Sequence, residues 1–196
     1  GMRFIFSASS RTNKIISAVN ETPNGILEHE EVTFQITIEN TSESVQLTQL
    51  QLQDNLNIAC NGRVLSVSTP IISSSTATTN PTLNAGYNGT SDMNLFDGSS
   101  GLLKINETIT IEFTVLFNET CFNTNTAVFS ARDPLGRNVP SSNSANVNIS
   151  TDTDNDGITN DIDIDDDNDT IPDILEYNGL NPLDDDGHTN AEGNLW

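Results

Sequence analysis

Oxygen-bearing side chains recur at a fixed spacing towards the C-terminal end of this chain. Counted from Asp152 they fall at positions 1, 3, 5, 9 and 12, and the pattern restarts at Asp165 after a 13-residue step. This is the ligand spacing of a calcium-binding loop, in which position 7 supplies only its backbone carbonyl oxygen. The predicted calcium ligands are Asp152, Asp154, Asp156, Ile158, Asn160 and Asp163 in loop one, and Asp165, Asp167, Asp169, Ile171, Asp173 and Glu176 in loop two.

The two loops differ at positions that matter for the metal. Ca²⁺ takes about six to eight oxygen ligands, and short Asp side chains on a tightly curled loop can all point inwards. Gly157 at position 6 of loop one permits the positive φ that such a curl requires, whereas Thr170 takes that place in loop two. Asn160 replaces a carboxylate, and Asp163 is a shorter closing ligand than Glu176. We therefore expect loop one to be the weaker or more hydrated site.

Two alternatives concern the same acidic segment. A run of charge is often a solvated linker, but a linker has no reason to repeat its Asp pattern, and its apolar positions, at a fixed step. The sequence therefore favours calcium. A third, incomplete site that uses Asp184 and Asp186, with His188 nearby, stays open.

The residues around the loops leave no room for the paired helices of a true EF-hand. The β-prone ANVNIS precedes Asp152, and only Ile164 separates the loops. The stretch DTDNDGITNDIDIDDDNDTIPDILE resembles the thrombospondin type 3 repeat in its bacterial form, over about 152–186. The resemblance implies a chain with little regular secondary structure that wraps around calcium ions and acts as a stiff spacer between surface domains.

Charge divides the chain into two parts. Residues 1–150 carry 13 acidic and 7 basic side chains, whereas residues 151–196 carry 15 acidic side chains and no Lys or Arg. This asymmetry predicts an ordinary domain over 1–150 and an acidic calcium-binding segment over 151–196. Strong negative charge argues against nucleic acid and anionic membranes as partners. The acidic segment has few apolar side chains, so metal binding would have to order it.

Strand patterns organise the first part. Apolar and polar residues alternate strictly over 31–40 and over 108–117, which is typical of half-buried strands. Over 45–56 the apolar parity shifts, which predicts a bulge near Thr48–Gln49. Further strands are predicted at 63–68, 70–72, 124–131 and 144–150, with a turn at 133–136 and long loops over much of 73–101. Short strands joined by polar turns predict an all-β fold, an Ig-like antiparallel β-sandwich followed by irregular calcium-binding loops.

The order of motifs in this part also resembles a family. The motifs are EHEEVTFQITIENTSES, LQLQDNL, GLLKINETITIEFTVLF and NTAVFSARDPLGRNVPSSNSANVNI. They resemble the Ig-like repeat domain of bacterial surface proteins that was long catalogued as a domain of unknown function, over about 12–150. The resemblance implies tandem surface arrays and adhesin-like roles, and it brings no catalytic residues.

The two cysteines and the remaining sequence features concern the compartment. Cys60 and Cys121 are candidates for one disulfide, with two free buried thiols as the alternative. The chain has no apolar run of about 18 residues, which a membrane-spanning helix needs, and its first residues do not form a signal peptide. We expect a piece of a longer exported protein, extracellular or at the cell surface, with neighbouring domains of the same chain as partners.

These observations predict a non-enzymatic, calcium-binding structural module of a large bacterial cell-surface protein, adhesin-like in role, with its surface ligand unknown. Enzymatic activity is not expected, because no nucleophile and base occur in a recognisable context. The alternative is a ligand-binding sandwich, for example for carbohydrate, with a flexible acidic linker. Its binding surface would be the loops at 73–101, where Tyr87 and Phe96 are the available aromatic residues.

Overall fold

The computed structural model describes residues 7–20, 29–60, 62–118 and 122–148, together with Ile164, Asp165, Asn168 and Thr170. Within these residues the chain forms nine strands and one short helix. The elements are β1 Ser10–Asn20, β2 His29–Asn40, β3 Leu47–Asp54, α1 Leu56–Cys60, β4 Val64–Val67, β5 Ile71–Ser75, β6 Leu102–Leu103, β7 Thr108–Asn118, β8 Phe122–Arg132 and β9 Asn138–Asn148. The predicted all-β fold is confirmed.

The strands form two antiparallel sheets. The first contains β1-β2-β7-β4 in that order, and β5 also pairs with β7. The second has the order β6-β3-β8-β9. One face of each sheet is apolar, so the sheets bury these faces against each other as a sandwich.

Strict alternation in β2 and β7 supplies the centre of the core. Every second residue of both strands is buried, and the residues between them are half-buried on the outer face. Outer threonines pair across the strands, with 3.0 Å between the hydroxyls of Thr33 and Thr114 and the same distance between those of Thr37 and Thr110. Burial of each large apolar side chain stabilises the fold by about 1.5–3 kcal/mol. The fully buried apolar residues of β2 and β7 are Val32, Phe34, Ile36, Ile38, Ile109, Ile111, Phe113, Val115 and Phe117.

The predicted bulge in β3 is present. The β3–β8 register shifts between Thr48 and Gln51, and Gln49 has a φ of 51°. The extra residue moves the apolar parity, so that Leu47 and Leu50 both face the core. The sequence pattern and the backbone therefore agree at this position.

The region that follows β3 is more regular than predicted. Helix α1 was not expected; it begins after Asn55, whose Oδ1 accepts a hydrogen bond from the Asn57 backbone N–H at 3.0 Å. Strand β5 continues to Ser75, into a Ser/Thr stretch predicted as loop, because β7 offers it an unpaired edge. Strand β9 begins at Asn138 rather than Ser144, because it pairs with β8 along its whole length. Within the described ranges, no helix has the length and hydrophobicity of a membrane span.

Strands β1 and β9, which are edge strands of different sheets, lie side by side. The hydroxyl of Ser141 is 3.0 Å from that of Ser10 and 2.7 Å from that of Thr12. One step further along, the backbone N–H of Lys14 donates to Oδ1 of Asn143 at 3.0 Å. The partner positions increase together, so the two strands run in the same direction and close one side of the sandwich through side-chain contacts.

Candidate functional site

The predicted calcium loops fall largely outside the described residues. Of the twelve predicted ligands, Asp165 is described. The candidate third site at Asp184, Asp186 and His188 also lies outside, as does Cys121. The other predicted ligands outside the described residues are Asp152, Asp154, Asp156, Ile158, Asn160, Asp163, Asp167, Asp169, Ile171, Asp173 and Glu176.

Where loop two is described, its backbone makes a tight turn around Asp165, the first ligand position. The backbone N–H of Asn168 donates to the Asp165 carbonyl oxygen at 3.0 Å. The backbone N–H of Thr170, at position 6, donates to the Asp165 carboxylate oxygen Oδ2 at 2.9 Å. Asn168 and Thr170 have φ values of 56° and 79°. Thr170 thus adopts the positive φ for which a calcium loop normally uses Gly at position 6, a conformation that is unfavourable for a β-branched residue.

The chemistry of this turn suits a hard cation. Asp165 presents a carboxylate at a curl of the backbone, and the surrounding donor set in the sequence is oxygen only, which is the set that Ca²⁺ prefers. Within the residues that the structure describes, no cluster of three or more His, Cys, Asp or Glu side chains is placed to hold a metal ion. The acidic segment is the candidate metal site of this chain because of its ligand spacing in the sequence.

A second polar site lies inside the sandwich. Lys14 of β1 and Asp54 of β3 are fully buried, and Lys14 Nζ contacts Asp54 Oδ2. The ammonium position is 4.5 Å from the centre of the Phe34 ring. Both residues occupy inward-facing positions of their strands, where the alternation would otherwise require apolar side chains.

Burial changes the acid–base properties of this pair. Removal from water lowers the pKa of Lys14 below its usual value, and the neighbouring Asp54 only partly opposes this effect. Removal from water likewise raises the pKa of Asp54, with Lys14 and then Asn125 acting in the opposite direction. Both shifts favour an uncharged amine beside an uncharged carboxylic acid.

Asn125 of β8 completes this site. Asp54 pairs with Ala127 in the sheet register, so Asn125, two residues away on the same face, is its diagonal neighbour. Asn125 is fully buried. Neither its amide oxygen nor its amide nitrogen makes a hydrogen bond of normal geometry with any described residue, and Oδ1 of Asp54 also has no partner among them.

A cluster of three aromatic rings lies beside Lys14, beginning at Phe34. The centre of the Phe113 ring is 5.6 Å from that of Phe34 and 5.1 Å from that of Tyr87. Burial raises the pKa of Tyr87 well above its usual value, and the electrostatic effect of Asp54 acts in the same direction. The Tyr87 hydroxyl oxygen is buried and has no hydrogen-bond partner within the described residues. The site is therefore a polar group of three side chains inside an apolar, aromatic shell.

Sequence reasoning missed Lys14, Asp54 and Asn125. The pattern that could have found them is a polar residue on the apolar parity of a strand. Asp54 continues the inward series of Leu50 and Leu52, and Asn125 precedes the buried Ala127 by two positions. A polar residue in such a series is either a strand-end residue or a buried functional group, and only the packing of the two sheets distinguishes them.

The loops at 73–101 do not expose the aromatic residues that carbohydrate binding would need. Tyr87 is 4% exposed and Phe96 is 1% exposed, so both belong to the core. The expectation that they could form a binding surface is wrong, because the loop folds back onto the sandwich. Its bridges pair Leu83 with Phe96 and Asn94 with Gln53 of β3.

The outer surface of the sandwich, where the structure describes it, includes the following two grooves. One, of about 310 Å³, is lined by the β8–β9 turn with Asp133, Leu135 and Arg137, and by residues 44–46. The other, of about 500 Å³, lies beside the ion pair of Arg11 and Glu39. Neither groove contains the buried polar site.

Cys60, at the end of α1, is disulfide-bonded. Its predicted partner, Cys121, lies outside the described residues, so the pairing itself stays a prediction. The alternative of two free thiols does not fit the bonded state of Cys60.

Comparisons with known proteins do not assign this chain to a family. The chain matches no protein-family model and no curated protein. Among solved structures it is similar to a GH20 exo-β-N-acetylglucosaminidase from Vibrio harveyi, with 14% identity, a TM-score of 0.34, and coverage of 72% of this chain and 18% of that chain. A family 123 glycoside hydrolase from Clostridium perfringens has 10% identity and a TM-score of 0.25, over 63% of this chain and 22% of that chain.

The KRT10-binding region domain of the pneumococcal serine-rich repeat protein PsrP is a third similar structure. It has 11% identity and a TM-score of 0.25, over 70% of this chain and 100% of that chain. The present chain thus spans less than a quarter of either glycoside hydrolase. At these TM-scores none of the three supports a function for it.

Proposed function

We propose that this chain is a non-enzymatic, calcium-binding structural module of a large exported bacterial cell-surface protein, with an adhesin-like role. The observation that carries the proposal is the turn at Asp165. The position-1 carboxylate accepts a hydrogen bond from the position-6 backbone N–H, and position 6 has positive φ although it is Thr170. This geometry accompanies the repeated ligand spacing of the sequence, which a solvated linker would not require.

Electrostatics supply the reason for metal binding. Residues 151–196 carry 15 carboxylates and no Lys or Arg, so without cations they repel one another. Two Ca²⁺ ions would neutralise part of that charge and provide the ordering free energy that apolar burial does not. Loop one would use the ligands from Asp152 to Asp163, and loop two those from Asp165 to Glu176.

The sandwich supplies a firm attachment for this segment. Asp152 follows the last residue of β9, Asn148, by four positions, and β9 is paired with β8 along its whole length. Calcium in loop one would therefore fix the chain direction close to a rigid strand. We infer that the acidic segment acts as a stiff spacer between this sandwich and a neighbouring domain of the same longer chain.

The test is a calorimetric titration of the whole chain with Ca²⁺, combined with limited proteolysis in calcium and in chelator. We expect at least two ions, with dissociation constants near the range of about 10⁻⁴–10⁻³ M that is typical of extracellular modules. Calcium should protect residues 151–196 from cleavage and leave the sandwich unchanged. The variant Asp165→Ala should lose one ion, whereas Glu43→Ala, an exposed change on the sandwich, should lose none.

Absence of binding at millimolar calcium would refute the proposal. Binding without added protection of the segment would keep the metal sites but refute the stiff spacer. A third bound ion would assign Asp184 and Asp186 as ligands if the variant Asp184→Ala removes it.

A further inference from the structure

Three polar side chains from three different strands meet in the apolar interior of the sandwich. No surface of Asp54 or Asn125 is exposed, and Lys14 is 3% exposed. Burial of an ion pair costs free energy unless every polar atom is satisfied, and here Oδ1 of Asp54 and both amide atoms of Asn125 are unsatisfied among the described residues. A purely structural ion pair would have no favourable interaction that offsets this cost.

We propose that Lys14 and Asn125 form an intramolecular isopeptide bond, between Lys14 Nζ and Asn125 Cγ, with release of ammonia and with Asp54 as the catalytic acid–base. The bond would join β1 of the first sheet to β8 of the second. This inference does not depend on calcium binding.

The surroundings place each reactant in a suitable state. A Lys amine is nucleophilic only when it is uncharged, and burial favours that form for Lys14. Burial also favours the protonated form of Asp54, which can then donate to a carbonyl oxygen that becomes negatively charged. Because Asp54 contacts Nζ and has Asn125 as its diagonal neighbour, it can exchange protons with both reactants.

The reaction balances without any other reactant. Nζ of Lys14 attacks Cγ of Asn125, and Asp54 gives its proton to Oδ1 as the tetrahedral intermediate forms. The Asp54 carboxylate then takes a proton from Nζ and delivers it to Nδ2. The Cγ–Nδ2 bond breaks, ammonia leaves, the carbonyl re-forms, and the proton on Oδ1 returns to Asp54.

The aromatic shell favours the product. Phe34 lies against Lys14 and packs on Phe113, and all three polar residues are buried, so little water is available to hydrolyse the new amide. The product is uncharged, and its amide N–H and C=O can both be satisfied by Asp54. The reaction therefore removes the buried titratable amine of Lys14 and the unsatisfied amide nitrogen of Asn125 together.

Asn125 is a better acyl partner than Asp54. A bond between Lys14 and Asp54 would leave the Asn125 amide buried beside it without a partner, and it would lack an acid to activate the carbonyl. The two products also differ in mass, because Asn125 releases ammonia whereas Asp54 would release water.

Intact-mass measurement of the whole chain, with its disulfide reduced, tests the proposal. We expect a mass lower than that of the sequence by one ammonia, and a branched proteolytic peptide that joins the segment of Lys14 to the segment of Asn125. A mass equal to that of the sequence would overturn the proposal. A loss of one water, with a branch at Asp54, would overturn the role of Asn125.

Variants separate the bond from other losses of ammonia. Lys14→Met and Asn125→Ala should both have the full mass of their sequences. Succinimide formation at an Asn–Gly pair such as Asn88–Gly89 also releases ammonia, but that loss would persist in Lys14→Met and would refute the assignment. Asp54→Asn retains both reacting groups and should abolish the loss; complete reaction in this variant would overturn the role of Asp54. The wild-type measurement decides the bond even if a variant does not fold.

Discussion

Replacement of Thr170 by glycine should strengthen calcium binding in loop two. Thr170 has a φ of 79° at position 6, and its backbone N–H is held by the Asp165 carboxylate. A β-branched residue in this region of φ is strained by its own Cβ. Glycine adopts the same conformation without that strain.

The expected gain follows from two opposing effects. An L-residue in the left-handed region costs about 1–2 kcal/mol, which glycine removes. Glycine is also more flexible in the unbound loop, and this flexibility offsets about 0.4–1 kcal/mol of that gain. The net gain of about 0.5–1 kcal/mol corresponds to a roughly two- to five-fold lower dissociation constant, since about 1.4 kcal/mol is tenfold.

The assay is a calcium titration of Thr170→Gly beside the wild type, with loop two followed alone in an Asp152→Ala background. Thr170→Ala is the matched control, because it keeps Cβ and should change the affinity less than glycine does. Gly157→Thr places the same strain in loop one and should weaken its ion. An unchanged or weaker loop-two affinity in Thr170→Gly would refute the argument that positive φ at position 6 limits binding.

Three further predictions concern the sandwich. Gly101→Ala should destabilise the fold by about 1–3 kcal/mol more than Gly136→Ala in urea unfolding, because a Cβ at Gly101 would lie 2.8 Å from Leu50. Both glycines have positive φ, but the space at Gly136 is open, so equal losses would contradict this reasoning. The backbone N–H of Ser99 and the hydroxyl of Ser100 hold the pKa of Asp97 at about 2, so an NMR titration should find its midpoint there. The stability that ionised Asp97 contributes should be complete above its unfolded pKa of about 3.9 and lost as the pH falls through about 2. A midpoint near 4 would refute the assigned hydrogen bonds. Cys60→Ser and Cys121→Ser should each lose about 4 kcal/mol, and the double variant no more than either, because one bridge closes a loop of about 60 residues; additive losses would exclude the pairing.

The sequence predicted those parts of the fold that local pattern determines. Strands β2 and β7 alternate without interruption, and the shifted parity at Thr48–Gln49 located the bulge. The Asp133 turn was also predicted, and the Gly136 backbone N–H donates to the Asp133 carbonyl oxygen at 2.9 Å. These features depend on residues that are close together along the chain, so they can be predicted from one sequence.

Features that depend on tertiary pairing were not predictable. Strand β5 has a polar, Ser-rich sequence and is a strand because the edge of β7 is available to it. Tyr87 lies in a segment that looks exposed, yet it packs edge-on against Phe113. Lys14 and Asn125 are 111 positions apart in the sequence, and only the packing of the two sheets brings both to Asp54.

The parallel arrangement of β1 and β9 determines how this module responds to tension. Because the two strands run in the same direction, the chain enters β1 at one end of the sandwich and leaves β9 at the opposite end. A pull on the two chain ends therefore acts along the strands, in shear, and all the contacts between Ser10, Lys14 and their partners on β9 bear load together. Shear of this kind loads the lateral contacts in parallel, whereas a pull across the strands would break them one after another.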